Sequence, residues 1–233
     1  MESKSHKVYN GSIILNRIVM SKDKMNHPKI QAILKQRTFC IVKPDAVMRG
    51  LTGEIIKRIE KVGLKIVAIK MVRASKDMIV KHYPMNDQAW VDRLGDKGLS
   101  TFTDLELDAA EFLGTADRSK VGKAVTEALV KYMTSGPVVC MIVEGIQAID
   151  MVRKLAGSTL PFKAEMGTIR GDFSVDSPAV ANVEGRSIHN LFHASENPKE
   201  AQNEIKLWFK DSEIQEYDLS ADGVMYSSEM YEK

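Results

Sequence analysis

Four side chains suited to holding an anion stand in or beside loops bounded by glycine or proline: Lys43, Arg153, Thr159 and Arg170. Ammonium, guanidinium and hydroxyl groups in such loops fit phosphate oxygens. The run Gly167-Thr168-Ile169-Arg170-Gly171-Asp172 adds backbone amides to a guanidinium fork, the two kinds of donor that hold phosphate. His193 closes a short apolar run just before Asn197-Pro198-Lys199-Glu200, which has the cap, first-turn proline and third-position acid of a helix start. An imidazole there is placed to meet a phosphate and to be steered by a neighbouring carboxylate, although an isolated histidine is ordinarily structural. Each of these signals is weak alone.

The elements that must position these groups are legible from periodicity. TFCIV (38–42) reads as a β-branched strand and KPDAVMRG after it as a loop. Thr52 is the expected cap of a helix whose Ile55, Ile56, Ile59 and Val62 fall at helical spacing, with Gly63 as its stop. Leu64 to Val72 is the next strand, and Ser75 caps a short helix to about Tyr83. Residues 84–118 lack a clear period and predict an irregular excursion with at most one short helix. Val121, Ala124, Val125, Ala128, Leu129 and Tyr132 then mark a helix with Ser119 as expected cap, followed by a strand from Val138 to Val143. Ile146 to Leu155 is a further helix closed by Gly157, and a long loop runs to about Ser187. NLFHAS is a last short strand, and Ala201, Ile205 and Trp208 are the apolar face of the last helix. Strand-helix-strand, helices, strand-helix-strand predicts an α+β fold: a ferredoxin-like (split βαβ) antiparallel sheet with helices packed on it, plus an insertion and terminal extensions. That plan alone carries no chemistry.

The 233 residues, 44% hydrophobic and 27% charged, exclude a disordered or collagen-like chain. No apolar run approaches the roughly 18 residues of a membrane helix, and the N-terminus lacks the pattern of a secretory signal. Cys40 and Cys140 each lie in an apolar strand-like run, which predicts buried reduced thiols and a cytoplasmic protein. Residues 1–37 carry eight Lys/Arg against two acids, so the net +2 divides into a +6 arm and a −4 body. The basic excess therefore does not argue for nucleic acid. We expect a basic arm over 1–37, dispensable for chemistry, a catalytic domain over 38–217 with an insertion at about 84–118, and an acidic tail over 218–233.

Four separate blocks carry a resemblance: RTFCIVKPDAVMRGLTGEIIKRIEKVG, KYMTSGPVVCMIVEG, GTIRGDF and NLFHASE. In this order and context the chain resembles the nucleoside diphosphate kinases, from about Arg37 to Tyr217. The resemblance implies transfer of the γ-phosphate of a nucleoside triphosphate to a nucleoside diphosphate, by a ping-pong route through a phosphohistidine. By the same resemblance His193 is the phosphorylated histidine and Glu204 the carboxylate that orients it. Lys43, Tyr83, Arg153, Thr159 and Arg170 align with phosphate-binding residues, Asn190 with the group that reads the ribose hydroxyl, and Ser195 with a serine beside the nucleophile. The cofactor implied is Mg²⁺, held mainly by nucleotide phosphates and water, with Glu196, where the family commonly has aspartate, as a contact through water. The partners implied are nucleoside di- and triphosphates and further copies of the chain, as a hexamer or tetramer, with neither membrane nor nucleic acid. Two departures stand out. Ala194 replaces the usual glycine after the nucleophile, and the base-stacking phenylalanine has no counterpart, Val125 lying near its place. Trp90, Phe102 and Phe112 of the insertion are then either a satellite core or a substitute cover for the base. The set of site residues disfavours a fold-retaining module that has lost turnover, and the aliphatic strands and acidic body disfavour an RNA-binding ferredoxin-like domain.

Overall fold

The computed structural model describes residues 27–226. Residues 1–26 of the expected basic arm and 227–233 of the expected acidic tail lie outside them. The elements run α1 (Pro28–Leu34), β1 (Gln36–Val42), α2 (Pro44–Met48), α3 (Thr52–Lys61), β2 (Lys65–Arg73), α4 (Lys76–His82), α5 (Gln88–Asp104), α6 (Ala109–Leu113), α7 (Arg118–Thr134), β3 (Pro137–Gly145), α8 (Ala148–Ala156), α9 (Ile169–Phe173), α10 (Pro178–Val183), β4 (Phe192–Ala194), α11 (Pro198–Trp208) and α12 (Asp222–Tyr226). The four strands form one sheet in the order β2-β3-β1-β4 with every pairing antiparallel. That is the ferredoxin-like arrangement expected from the order of elements.

Helices cover both faces of the sheet, so the central strands read as unbroken apolar runs rather than alternating ones. Cys40, Val42, Val139 and Met141 pack with Ile55 and Ile59 of α3 and Val152 of α8 on one face. On the other, Phe39, Ile41, Cys140 and Ile142 pack with Ile79 of α4, Met133 of α7 and Trp208 of α11. Both cysteines are free and buried. Among the described residues no helix is long and apolar enough to cross a membrane.

Some expectations are corrected. Leu51, not Thr52, occupies the cap position of α3, and the α7 cap is Asp117, whose carboxylate accepts from the Ser119 and Lys120 amides, rather than Ser119. The stretch 84–118 is not irregular: it holds the seventeen-residue α5 and the short α6. Its period escapes a hydrophobicity count because the face of α5 that packs on α7 is built largely from small residues. At the crossing, a Cβ on Gly95 would stand 1.9 Å from the Arg118 carbonyl oxygen, and one on Gly122 would stand 2.1 Å from that of Val91. Two glycines therefore let the helix backbones touch. The loop between Gly157 and Ser187 likewise contains the short helices α9 and α10.

Candidate active site

His193 is presented by β4, the shortest strand, paired opposite Ile41 of β1. The turn before it is tight. Leu191 has φ +67°, a left-handed conformation costly for a branched side chain, and the Phe192 amide donates back to the Asn190 carbonyl at 2.7 Å. The surroundings over-determine this turn. An Asp45 carboxylate oxygen accepts from the Leu191 amide at 3.2 Å, and the Lys43 amide donates to the Leu191 carbonyl at 2.9 Å. Arg170 adds two bonds from its buried guanidinium, Nε to the Asn190 carbonyl at 3.1 Å and Nη2 to that of Phe192 at 2.6 Å. A third, Nη1 to the Gly157 carbonyl at 2.6 Å, ties the turn to the end of α8. Gly157 itself needs to be glycine: φ is +78°, and a Cβ would meet the Thr168 side chain at 2.3 Å.

The helix start read from Asn197-Pro198-Lys199-Glu200 is α11, with the Asn197 side chain accepting from the Glu200 amide. Its second turn brings buried Glu204 beneath His193. Glu204 Oε1 lies 2.8 Å from His193 Nε2, and Oε2 accepts from the Ser195 hydroxyl at 2.5 Å. A carboxylate on Nε2 fixes the proton there and leaves the Nδ1 lone pair as the nucleophilic one. Burial, with Lys43 and Arg170 nearby, lowers the His193 pKa to about 3, so the ring is neutral at any physiological pH.

Lys43 is buried beside it, and its ammonium donates to Asn190 Oδ1 at 2.7 Å while Asn190 Nδ2 donates to the Thr159 carbonyl at 3.0 Å. Lys43, Asn190 and the Thr159 backbone are thus one chain of bonds. Burial and the Arg170 charge lower the Lys43 pKa to about 7, against the opposing pull of Asp45. Arg170 is lowered to about 10 by burial and stays charged. Arg153 is exposed on α8, 3.3 Å from the Glu196 carbonyl and 3.8 Å from its carboxylate. Tyr83 lies edge-on to His193, ring centroids 6.1 Å apart, and stacks on Trp90. The site residues read from sequence thus converge: His193, Glu204, Lys43, Tyr83, Arg153, Thr159, Arg170, Asn190 and Glu196 all line one cleft of about 1070 Å³. Eight cationic side chains and three carboxylates line it, a charge balance made for a polyanion.

One residue was missed. His82, at the end of α4, is buried with Nδ1 3.3 Å from Glu204 Oε1 and receiving the Trp208 indole N–H at 3.3 Å. Burial, then His193, lower its pKa to about 3, so it stays neutral and leaves the Glu204 charge to His193 and Ser195. Nothing in a lone histidine before a tyrosine signals this. The three insertion aromatics divide. Phe102 is buried against the half-exposed Phe112, a satellite cluster, whereas Trp90 lines the cleft.

The profile of the nucleoside diphosphate kinase family matches residues 36–91 and 108–214, most of the chain and all of the cleft except part of α5. The chain belongs to this family. A nucleoside diphosphate kinase of Pyrobaculum aerophilum is 50% identical over 181 residues, covering 78% of this chain and 98% of that protein. The crystal structure of an NDP kinase from the same organism matches with a TM-score of 0.73 at 49% identity, over 78% of this chain and 100% of that one. A nucleoside-diphosphate kinase from Borrelia burgdorferi, solved as a transition-state mimic with vanadate and ADP, matches with a TM-score of 0.68 at 39% identity, over 83% of this chain and 98% of that one.

A pH effect follows for a nucleoside diphosphate kinase with this lysine. In the empty cleft Lys43 titrates near pH 7, and a bound phosphate anion raises its pKa. Nucleotide binding should then take up roughly half a proton at pH 7 and more at pH 8, and affinity should fall as pH rises above 7. Calorimetry in buffers of different ionisation heat reads this directly; a zero slope would mean that the empty site already holds Lys43 fully charged.

Proposed function

We infer that this chain is a cytoplasmic nucleoside diphosphate kinase that carries phosphate on His193 between two nucleotides. The observation that carries the reading is the neutral imidazole held at Nε2 by Glu204, with Lys43 and Arg170 beside it at the bottom of a cationic cleft. In the first half-reaction the Nδ1 lone pair attacks the γ-phosphorus of a nucleoside triphosphate. The bond from γ-phosphorus to the bridging oxygen breaks, and the diphosphate leaves with the electron pair. No proton need be removed, because Nδ1 carries none, and Glu204 stabilises the positive charge that develops on the ring. The second half-reaction is the reverse, with a β-phosphate oxygen of the acceptor displacing the histidine. Lys43, Arg153, Arg170, Thr159 and Tyr83 bind and align the phosphates, and the spare N–H of Asn190 is free for the ribose.

Mg²⁺ fits this site only by way of the nucleotide. Among the described residues the group able to hold a metal ion directly is His82, His193 and Glu204, two nitrogens and one carboxylate suited to softer ions, with His82 and Glu204 buried and His193 half-buried. Exposed Glu196 is the residue that would contact Mg²⁺ through water, and the ion would supply neutralisation of phosphate charge when bound with the nucleotide. A homo-oligomer is supported by Ile69 and Met71, exposed on edge strand β2. Mixing the protein with γ-labelled ATP, GDP and Mg²⁺ should move label into GTP, and a chelator should stop it. Nucleotide binding without transfer would instead make the chain a binding module.

A further inference from the structure

The helix α5 contains most of the residues, 92–107, that the family profile leaves out. It is amphipathic in an unusual sense. Val91, Gly95, Gly98 and Phe102 are buried on one side, with Gly95 in backbone contact with α7. Trp90, Arg93, Leu94 and Lys97, at i, i+3, i+4 and i+7, make another face, and all four line the nucleotide cleft. The glycine crossing fixes how closely this face stands over the site. Tyr83 joins the two ends: its ring meets His193 edge-on and stacks on Trp90 at 6.0 Å, so aromatic surface continues from the nucleophile to the inserted helix.

Among the described residues the two cations on this face form no salt bridge. The acids beside them are engaged elsewhere: Asp92 accepts from Gln88 and Ser119 and pairs with Arg118, and Asp96 also faces Arg118. Among the described residues Arg93 and Lys97 have no carboxylate partner for their side chains, and both are exposed to the cleft. A guanidinium without a carboxylate partner offers donors only, and it shares this helix face with a leucine and a tryptophan.

We propose that α5 is the base-reading wall of this enzyme, with Trp90 and Leu94 covering the face of the base and Arg93 donating to its outer edge, so that guanine is preferred over adenine. The proposal rests on the nucleotide reading of the cleft given above. Guanine presents two neighbouring acceptors, O6 and N7, that a guanidinium meets with both N–H groups at once. Adenine presents N7 beside an amino donor and can satisfy only one.

The test uses the full chain loaded with phosphate by a donor that has no base. Phosphoramidate gives up its phosphoryl group to His193: the P–N bond breaks, ammonia leaves, and a bond from Nδ1 to phosphorus forms. The loaded protein is then discharged by limiting GDP or ADP, and the two second-order rates are compared. The unaltered protein should discharge to GDP about fivefold or more faster than to ADP. Arg93→Met, an exposed change that keeps the length of the side chain, should remove that preference by bringing the rate for GDP down to that for ADP. Leu94→Ala should slow both nucleotides alike. Equal rates for GDP and ADP in the unaltered protein, or a preference that survives Arg93→Met, would overturn the proposal. Failure of the unaltered protein to load at all would overturn the phosphohistidine reading instead, so the two failures are distinguishable.

Discussion

His193→Ala should fold, bind nucleotide and transfer phosphate at least about 10⁴-fold more slowly, a loss of ~5.4 kcal/mol of transition-state stabilisation. The size follows from what is removed. The covalent route disappears, while the phosphate-binding Lys43 and Arg170 are held by bonds that do not involve the imidazole. In the unaltered protein the label from γ-labelled ATP should be acid-labile and base-stable, as a phosphoramidate is, and the alanine variant should carry none. The control is exposed His189, whose ring stacks on Tyr132 at 5.1 Å. Label retained after His193→Ala would move the nucleophile there or elsewhere. Glu204→Gln should be milder, about 10- to 100-fold, because an amide still bonds Nε2 but cannot offset the developing positive charge.

Arg170→Ala should damage two things at once. Its guanidinium donates to three backbone carbonyls, those of Gly157, Asn190 and Phe192. Removal leaves buried acceptors unsatisfied around a turn whose Leu191 is held at φ +67°. We expect about 3–5 kcal/mol of destabilisation, read as a fall in melting temperature of roughly 10 °C. Turnover should fall by at least about 10²-fold, since both the cation and the placement of His193 are lost. Arg170→Lys should restore neither, because a single ammonium cannot span three carbonyls that a planar fork meets together. A variant that kept its melting temperature and lost only affinity would show that Arg170 is a phosphate clamp and not a brace for the turn.

The two halves of the site were unequally visible in the sequence. Strands β1 and β3 and the start of α11 could be read because apolar runs and the Asn-Pro-x-Glu pattern are local signals. Glu204 came only with the family resemblance, since the short distance from strand to helix does not distinguish it from Glu196 or Glu200. Three features were hidden because they exist only in the folded chain. The buried face of α5 is partly glycine, so packing depends there on the absence of side chains, which a hydrophobic period does not register. His82 touches Glu204 across more than a hundred residues. The grip of Arg170 on the turn is made with backbone carbonyls, which have no sequence signature at all. The phosphate role read for Arg170 from a guanidinium in a glycine-bounded loop thus captured its charge and missed its structural duty.

Cys40 and Cys140 give the molecule a use that nature did not need. They sit on adjacent central strands, yet Cys40 belongs to the layer under α3 and α8 and Cys140 to the layer under α4, α7 and α11. Burial pushes the Cys140 thiol up to about 12 and the Cys40 thiol higher still, so neither forms the thiolate that reacts. Alkylation by a thiol reagent therefore requires the covering helices to leave, and each thiol reports on its own layer. Mass spectrometry of the modified peptides should find equal rates at both positions if the layers separate from the sheet in one event. Faster modification of Cys140 would show that the side bearing the inserted helix opens first, a native-state clock that needs no added probe.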